Sequence, residues 1–325
     1  MFSTLRRLAP RAALVIAVPF LLCAAGCGKQ AGDRRADQDG GPVIGVSLLT
    51  RTHPFYQDLE AGLRLAAAER GYQLVVQAGE FDVARQKDQI ADFIVRKVAA
   101  IVVCPCDSRS IGTSIEAANA AGIPVFTADI AVLAEGAKVV CHVASDNVEG
   151  GRIAARALSL ALDGHGSVAI IDHPEVESVI QRVRGFEEEL AAKGGLNVVA
   201  KLSGRGVKDG AMRTTEDILQ SHRDLAGIFA INDDSALGAL AAVEKAGRRG
   251  RVAIVGFDAV PEARAAIREG KIYADVMQQP RSIGFQTIDA IAEYLAGQPV
   301  LPRVLIPCAL FTQEDARREA DAAAR

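Results

Sequence analysis

From residue 42 onward, short apolar runs alternate with amphipathic stretches whose apolar positions recur every three to four residues. The run VIGVSLL at 43–49 reads as a buried strand, and residues 55–70 place Leu59, Leu63, Ala66 and Ala67 on one helical face before Gly71 stops the helix. Strands at 72–77, 100–104 and 123–129 alternate with helices at 84–97 and 111–121. A second series follows, with helices at 147–162, 178–193, 209–221, 235–247 and 260–269 and strands at 167–172, 197–202, 227–231 and 252–258. Repeated β-α alternation of this kind predicts an α/β protein built on parallel sheets with helices on both faces. Beyond Asp258, residues 273–278 read as a strand, 282–295 as a helix and 304–311 as one further apolar strand.

The two series resemble each other. Residues 98–129 and 225–258 both run strand, helix, strand, both close the helix with Ala-Gly (Ala121-Gly122 and Ala246-Gly247), and both finish on a carboxylate, Asp129 or Asp258. A structural pseudo-repeat giving two lobes of one architecture is expected. The elements after Asp258 are placed to cross back to the first lobe, and several crossings would restrict the lobes to bending about a hinge.

The start of the chain departs from this pattern. Arg6, Arg7 and Arg11 precede a mostly apolar run at 12–25, too short to span a bilayer comfortably, which ends Ala24-Ala25-Gly26-Cys27. This is a secretory leader, residues 1–26. The small residues before Cys27 resemble the bacterial lipobox, which marks that cysteine for lipidation, although Ala24 stands where leucine is usual; the alternative is an ordinary cleaved leader. Residues 27–41 are polar and aperiodic and fit a flexible tether.

Charge and composition narrow the function. There are 37 basic side chains, three of them in the leader, against 40 acidic, so the exported chain carries a net −6 and nucleic acid is not an expected partner. No P-loop, GxGxxG turn, GxSxG elbow or HExxH pair occurs, and the five histidines lack metal-ligand spacing. Neither catalysis nor a cofactor or metal is expected. Cys104, Cys106, Cys141 and Cys308 show no CxxC pattern and read as buried thiols acting as small hydrophobes.

In open parallel sheets, ligands bind beyond the carboxyl ends of the strands. His53-Pro54-Phe55-Tyr56 follows the first strand, and its aromatics read either as a platform for the C–H face of a ring or as core filling at a helix start. Asp129 and Asp258 end strands, where an ionised carboxylate can accept from adjacent hydroxyls or be satisfied by backbone amides. In Asn232-Asp233-Asp234, Asp233 or Asp234 is expected to cap the helix, leaving Asn232 for a ligand. Arg182 near a helix start and Arg205 after a strand are cations in need of a reason, or solvated surface residues. Gln278 closes a strand at a hinge-like position before Gln279-Pro280.

Taken in order, HPFY at 53–56, TAD at 127–129, HVASDNVEGGRIAA at 142–155, RVRGF at 182–186, FAINDDSALGAL at 229–240, VGFD at 255–258 and VMQQP at 276–280 give a specific match. From residue 42 to about 311 the chain resembles the type I periplasmic sugar-binding proteins of ABC importers, the ribose-binding branch in particular. The resemblance implies two Rossmann-like lobes joined by three hinge crossings near Ser145, Gln278 and Ile306. It implies lobe 1 from 42–145 with 279–306, lobe 2 from 146–278 with 307–315, and a tail at 316–325. It further implies ligand contact from Phe55, Tyr56, Asp129, Arg182, Asn232, Asp258 and Gln278, with Phe257 nearby.

Departures from the ribose-binding pattern fall mainly in the first lobe. His53 and Cys104 stand where polar amides are usual, Ile130 where an arginine follows the strand-end aspartate, and Arg205 where the second lobe supplies an aromatic. A sugar hydroxyl buried without its partner costs about 1–3 kcal/mol. Tight ribose binding is therefore not expected; another pentose or hexose, a deoxy or less polar sugar, or an acidic ligand met by Arg182 and Arg205 is. The expected protein is a monomeric, lipid-anchored solute receptor in the periplasm or cell envelope, working with an ABC permease. The alternative is a receptor subunit reporting ligand to a signalling or quorum-sensing system. The effector core of a repressor shares the fold, but an exported chain with a 14-residue tether leaves no room for a helix-turn-helix.

Overall fold

A computed structural model describes residues 40–323. The leader, Cys27 and residues 28–39 of the tether lie outside the described residues. The chain first builds β1 (Val43–Leu48), α1 (Pro54–Glu69), β2 (Gln73–Ala78), α2 (Val83–Val95), β3 (Ala100–Val103), α3 (Gly112–Ala120), β4 (Val125–Ala128) and β5 (His142–Ser145). Strands β1 and β3 are central and nearly wholly buried, which is why their sequences are continuous apolar runs rather than alternations. His53 caps α1 and Pro54 takes its first turn, where a missing N–H costs nothing.

The chain then crosses to α4 (Asn147–Ala161), β6 (Gly166–Asp172), α5 (Glu177–Lys193), β7 (Leu196–Ser203), α6 (Lys208–Ser221), β8 (Leu225–Ala230), α7 (Asp233–Lys245), β9 (Ala253–Asp258), α8 (Pro261–Arg268) and β10 (Ala274–Met277). Helices α4 and α5 pack closely because neither carries a side chain at the contact: a methyl group on Gly185 would overlap the Val148 carbonyl, and one on Gly151 the Arg182 carbonyl. Helix α9 (Pro280–Leu295) returns to pack on α1, and β11 (Arg303–Ile306) pairs with β5. The chain crosses a third time to β12 (Ala309–Thr312) and α10 (Gln313–Ala323), which lies against α8.

Two six-stranded sheets result, ordered β11-β5-β4-β3-β1-β2 and β12-β10-β9-β8-β6-β7. Several details differ from the sequence reading, which placed no strand at β5. The apolar stretch 304–311 is not one strand; it breaks at Pro307-Cys308 into β11 and β12, which belong to different sheets. Proline has no N–H to give a ladder, so the run is interrupted there. The second sheet is not wholly parallel, since β12 runs antiparallel to β10 at its edge. Residues 316–323, read as part of a tail, continue a helix.

The crossings are bound to one another: the Asp146 N–H donates to the Ile306 carbonyl at 2.8 Å, and Gln279 Nε2 to the Pro307 carbonyl at 3.0 Å. An apolar cluster runs continuously from Val46 and Leu63 of the first lobe to Phe186, Phe229 and Phe257 of the second. Away from the crossings the lobes also touch. Ser108, after β3, donates its N–H to the Glu175 carbonyl at 3.0 Å, and its hydroxyl accepts from the Glu177 N–H at 2.9 Å.

Candidate functional site

The carboxyl ends of β1 and β4 face those of β6, β8, β9 and β10 across a cavity with about 470 Å³ of atom-free space, counting its open mouth.

On the first lobe, His53 Nδ1 accepts from the Phe55 N–H at 3.2 Å. In the neutral ring this places the proton on Nε2, which points into the cavity 3.6 Å from Asp258 Oδ2 of the opposite lobe. Phe55 and Tyr56 meet edge to face, with ring centroids 5.1 Å apart, and both are buried while lining the cavity. They are thus core and platform together. The Tyr56 hydroxyl donates to Asp129 Oδ2 at 2.7 Å. Asp129 follows β4 with φ of 65°, a left-handed conformation that turns the chain sharply at the strand end. Burial raises its carboxyl to about 6 against the opposing pull of Arg182 and the Tyr56 hydrogen bond.

On the second lobe, Arg182 explains itself. Its Nε donates to Asn147 Oδ1 at 2.8 Å and its Nη1 to the Ile231 carbonyl at 2.7 Å, and the guanidinium carbon sits 3.9 Å from the centroid of the Phe257 ring. The same Nη1 lies 3.9 Å from Asp258 Oδ1. Asp258 also accepts from Gln278 Nε2 at 2.6 Å, a contact made by the pairing of Met277 with Asp258 in neighbouring strands. Burial raises the Asp258 carboxyl, while His53 and Arg182 pull it down. Three buried polar atoms on this wall and the other have no partner: His53 Nε2, Asp129 Oδ1 and Gln278 Oε1. Other unpartnered polar atoms are buried elsewhere, but these three sit on residues that line one cavity, where hydroxyls or amides of a ligand can pair with them.

The structure brings His53, Phe55, Tyr56, Asp129, Arg182, Asn232, Asp258 and Gln278 to this cavity. Cys104, Arg205 and Phe257 do not line it. Cys104 is wholly buried in the core, where Gln86 Nε2 donates to its carbonyl and desolvation pushes the thiol well up. Arg205 adopts φ of 59° and is exposed; it is Gly206 that lines the cavity in its place. Phe257 lies beneath Arg182 as its support. The arginine pair that an acidic ligand requires is therefore not assembled.

Asn232, not Asp233 or Asp234, caps α7: its Oδ1 accepts from the Ser235 N–H at 2.9 Å and its Nδ2 donates to the Gly206 carbonyl at 3.0 Å. Asp233 instead accepts from the Val260 N–H at 2.6 Å, deep in the lobe beside Asp275. All four cysteines among the described residues are free; Cys308 is only half-buried, beside the crossing at Asp146.

Among the lining residues that escape the sequence reading are two rings. Phe81 follows β2 and His173 follows β6, and their rings face each other across the lobes with centroids 6.4 Å apart. The strand-end rule that singles out Asp129 points to both. No group of residues able to hold a metal ion exists among the described residues, and no helix there is long and apolar enough to cross a membrane.

Residues 44–299 match a family model described as a periplasmic binding protein domain. The chain is 35% identical over 273 residues to a ribose import binding protein of Bacillus subtilis, covering 84% of this chain and 88% of that one. Among solved structures, it is similar to an ABC transporter solute-binding protein of Agrobacterium vitis bound to α-D-tagatopyranose, with a TM-score of 0.83, 28% identity, and coverage of 87% of this chain and 98% of that one. A Caulobacter myo-inositol-binding protein bound to myo-inositol superposes with a TM-score of 0.80 at 28% identity, over 90% of this chain and all of that one.

Proposed function

This chain belongs to the periplasmic binding protein family, and from that premise we propose that it is the substrate-binding component of an ABC importer for a small, neutral, carbohydrate-like solute. The observation that carries the reading is the set of three orphaned polar atoms, two from the first lobe and one from the hinge crossing at Gln278, on residues that line one small cavity with Arg182 and Asp258 of the second lobe. The relatives named for ribose import and the neighbours holding a ketohexose and a cyclitol support a polyhydroxylated ligand.

Neutrality follows from the charges. Asp129 and Asp258 outnumber Arg182, whose Nε and Nη1 already donate to Asn147 and the Ile231 carbonyl, so an anionic sugar acid would meet more carboxylates than cations in a desolvated space. The lobes close on the ligand, exclude water, and present to the permease a surface that only the loaded form displays. The site residues are His53, Phe55, Tyr56, Asp129, Arg182, Asn232, Asp258 and Gln278. The protein acts as a monomer in the periplasm or cell envelope, held by lipid on Cys27.

Isothermal titration against neutral pentoses, hexoses, polyols and sugar acids tests the reading. Binding of a neutral member, lost in Asp258→Ala, is the expected result; a folded protein that binds only sugar acids, or none of the panel, overturns it. Moving Cys27→Ser into the soluble fraction of its host, where the native chain sediments with membranes, tests the anchor.

A further inference from the structure

We infer that the Tyr56 hydroxyl takes the place of one ligand hydroxyl, so that the site selects a sugar lacking a hydroxyl on the edge facing Asp129. This rests on the carbohydrate reading above and adds a specificity to it. A strand-end carboxylate grips a sugar best when its two oxygens accept from two adjacent hydroxyls. Here one of them is already occupied: the Tyr56 phenol donates to Asp129 Oδ2 at 2.7 Å, and only Oδ1 is left without a partner.

The phenol is not free to withdraw. It stands on the first turn of α1, with its ring held edge-on by Phe55 and 6% of its surface exposed. Its proton is firmly held, because burial and the adjacent carboxylate raise the phenol well above its usual range.

The rest of that wall offers nothing in compensation. Ile130, next to Asp129, lines the cavity with a purely apolar side chain, and the Cys104 thiol stays in the core behind it. The Thr50 hydroxyl is engaged with Glu80 at 2.6 Å. On the cavity wall of the first lobe, His53 Nε2 is an unpaired donor, and it lies toward Asp258. The opposite wall carries Arg182, Asp258 and the Gln278 amide. The ligand's two edges therefore meet unequal polarity. A hydroxyl-rich edge faces the second lobe, and the edge toward Tyr56, Asp129 and Ile130 offers one unpartnered carboxylate oxygen where a full sugar brings two hydroxyls. Burying the surplus hydroxyl without a partner lowers affinity by about ten- to a hundred-fold.

The experiment titrates wild type and Tyr56→Phe with the tightest-binding parent sugar of the panel and with each of its mono-deoxy analogues. One analogue is expected to bind wild type at least about ten-fold more tightly than the parent. Tyr56→Phe frees Asp129 Oδ2, so the ratio should narrow or invert in the parent's favour. A wild type that binds the parent more tightly than every deoxy analogue, or a ratio equal in the two proteins, overturns the inference. The wild-type ratio stands without any variant, so misfolding of Tyr56→Phe does not shelter the idea. Failure of the folded wild type to bind any sugar is a separate result, which removes the carbohydrate reading itself.

Discussion

Replacing Ser108 with alanine should loosen the closed form without touching the ligand. Ser108 does not line the cavity; it sits on the first lobe and its hydroxyl accepts from the Glu177 N–H of the second at 2.9 Å. Helix α5 has no cap of its own, because its N-cap residue is Val176. The first lobe therefore supplies the cap, and only when the lobes meet. Losing a serine cap costs about 1 kcal/mol, within a range of ~0.5–2. In the open form both groups are hydrated, so the whole loss falls on the closed state. The ratio of closed to open then drops about five-fold, and apparent affinity drops with it when the free protein is mostly open. The backbone bond from Ser108 N–H to the Glu175 carbonyl survives the substitution, which keeps the effect at one interaction. Titration calorimetry reads the affinity, and small-angle scattering with and without ligand reads the closure. Ser108→Thr should restore most of the loss. Unchanged affinity in Ser108→Ala, with an unchanged scattering profile, would refute the idea that this contact belongs to closure.

Other consequences follow from buried carboxyls and tight helix packing. Asp275 faces Asp233 in the second lobe, and burial, helped by the charge of Asp258 and opposed by a hydrogen bond with Asp233, raises it to about 7. An unfolded aspartate titrates near ~3.9, so the folded form holds a proton that the unfolded form releases. The stability this contributes is complete below the unfolded value and is lost as pH rises through about 7. Asp275→Asn should therefore raise the melting temperature at pH 8 relative to wild type and flatten the fall between pH 5 and 8; parallel curves for the two proteins would count against a shared proton.

On the proposed role of Asp129 as an ionised acceptor, affinity should be full above its value of about 6 and weaken as pH falls through it, read by titration in matched buffers. Gly185→Ala forces a methyl group into the Val148 carbonyl and should cost about 1–3 kcal/mol in urea melts, with weakened ligand binding because α5 carries Arg182.

What the amino-acid order determined by itself is everything carried by local periodicity. Alternating apolar runs and helical stripes are enough for two β-α series, and the rule that ligands sit beyond strand ends is enough to mark Asp129, Asp258, Gln278 and the loop at His53. The tertiary structure alone decided which of those side chains turn inward and what they are already bonded to. Cys104 stands on a strand end yet belongs to the core, and Arg205 is turned to solvent at a left-handed residue. Asn232 is spent on a helix cap, and a single apolar run splits between two sheets at Pro307. The pairing that shapes the site most, Tyr56 with Asp129, joins residues 73 positions apart. Hydrophobic period reports each residue's immediate neighbours along the chain, whereas hydrogen bonds between strand ends depend on sheet order and on the closure of two lobes, and no local pattern encodes either.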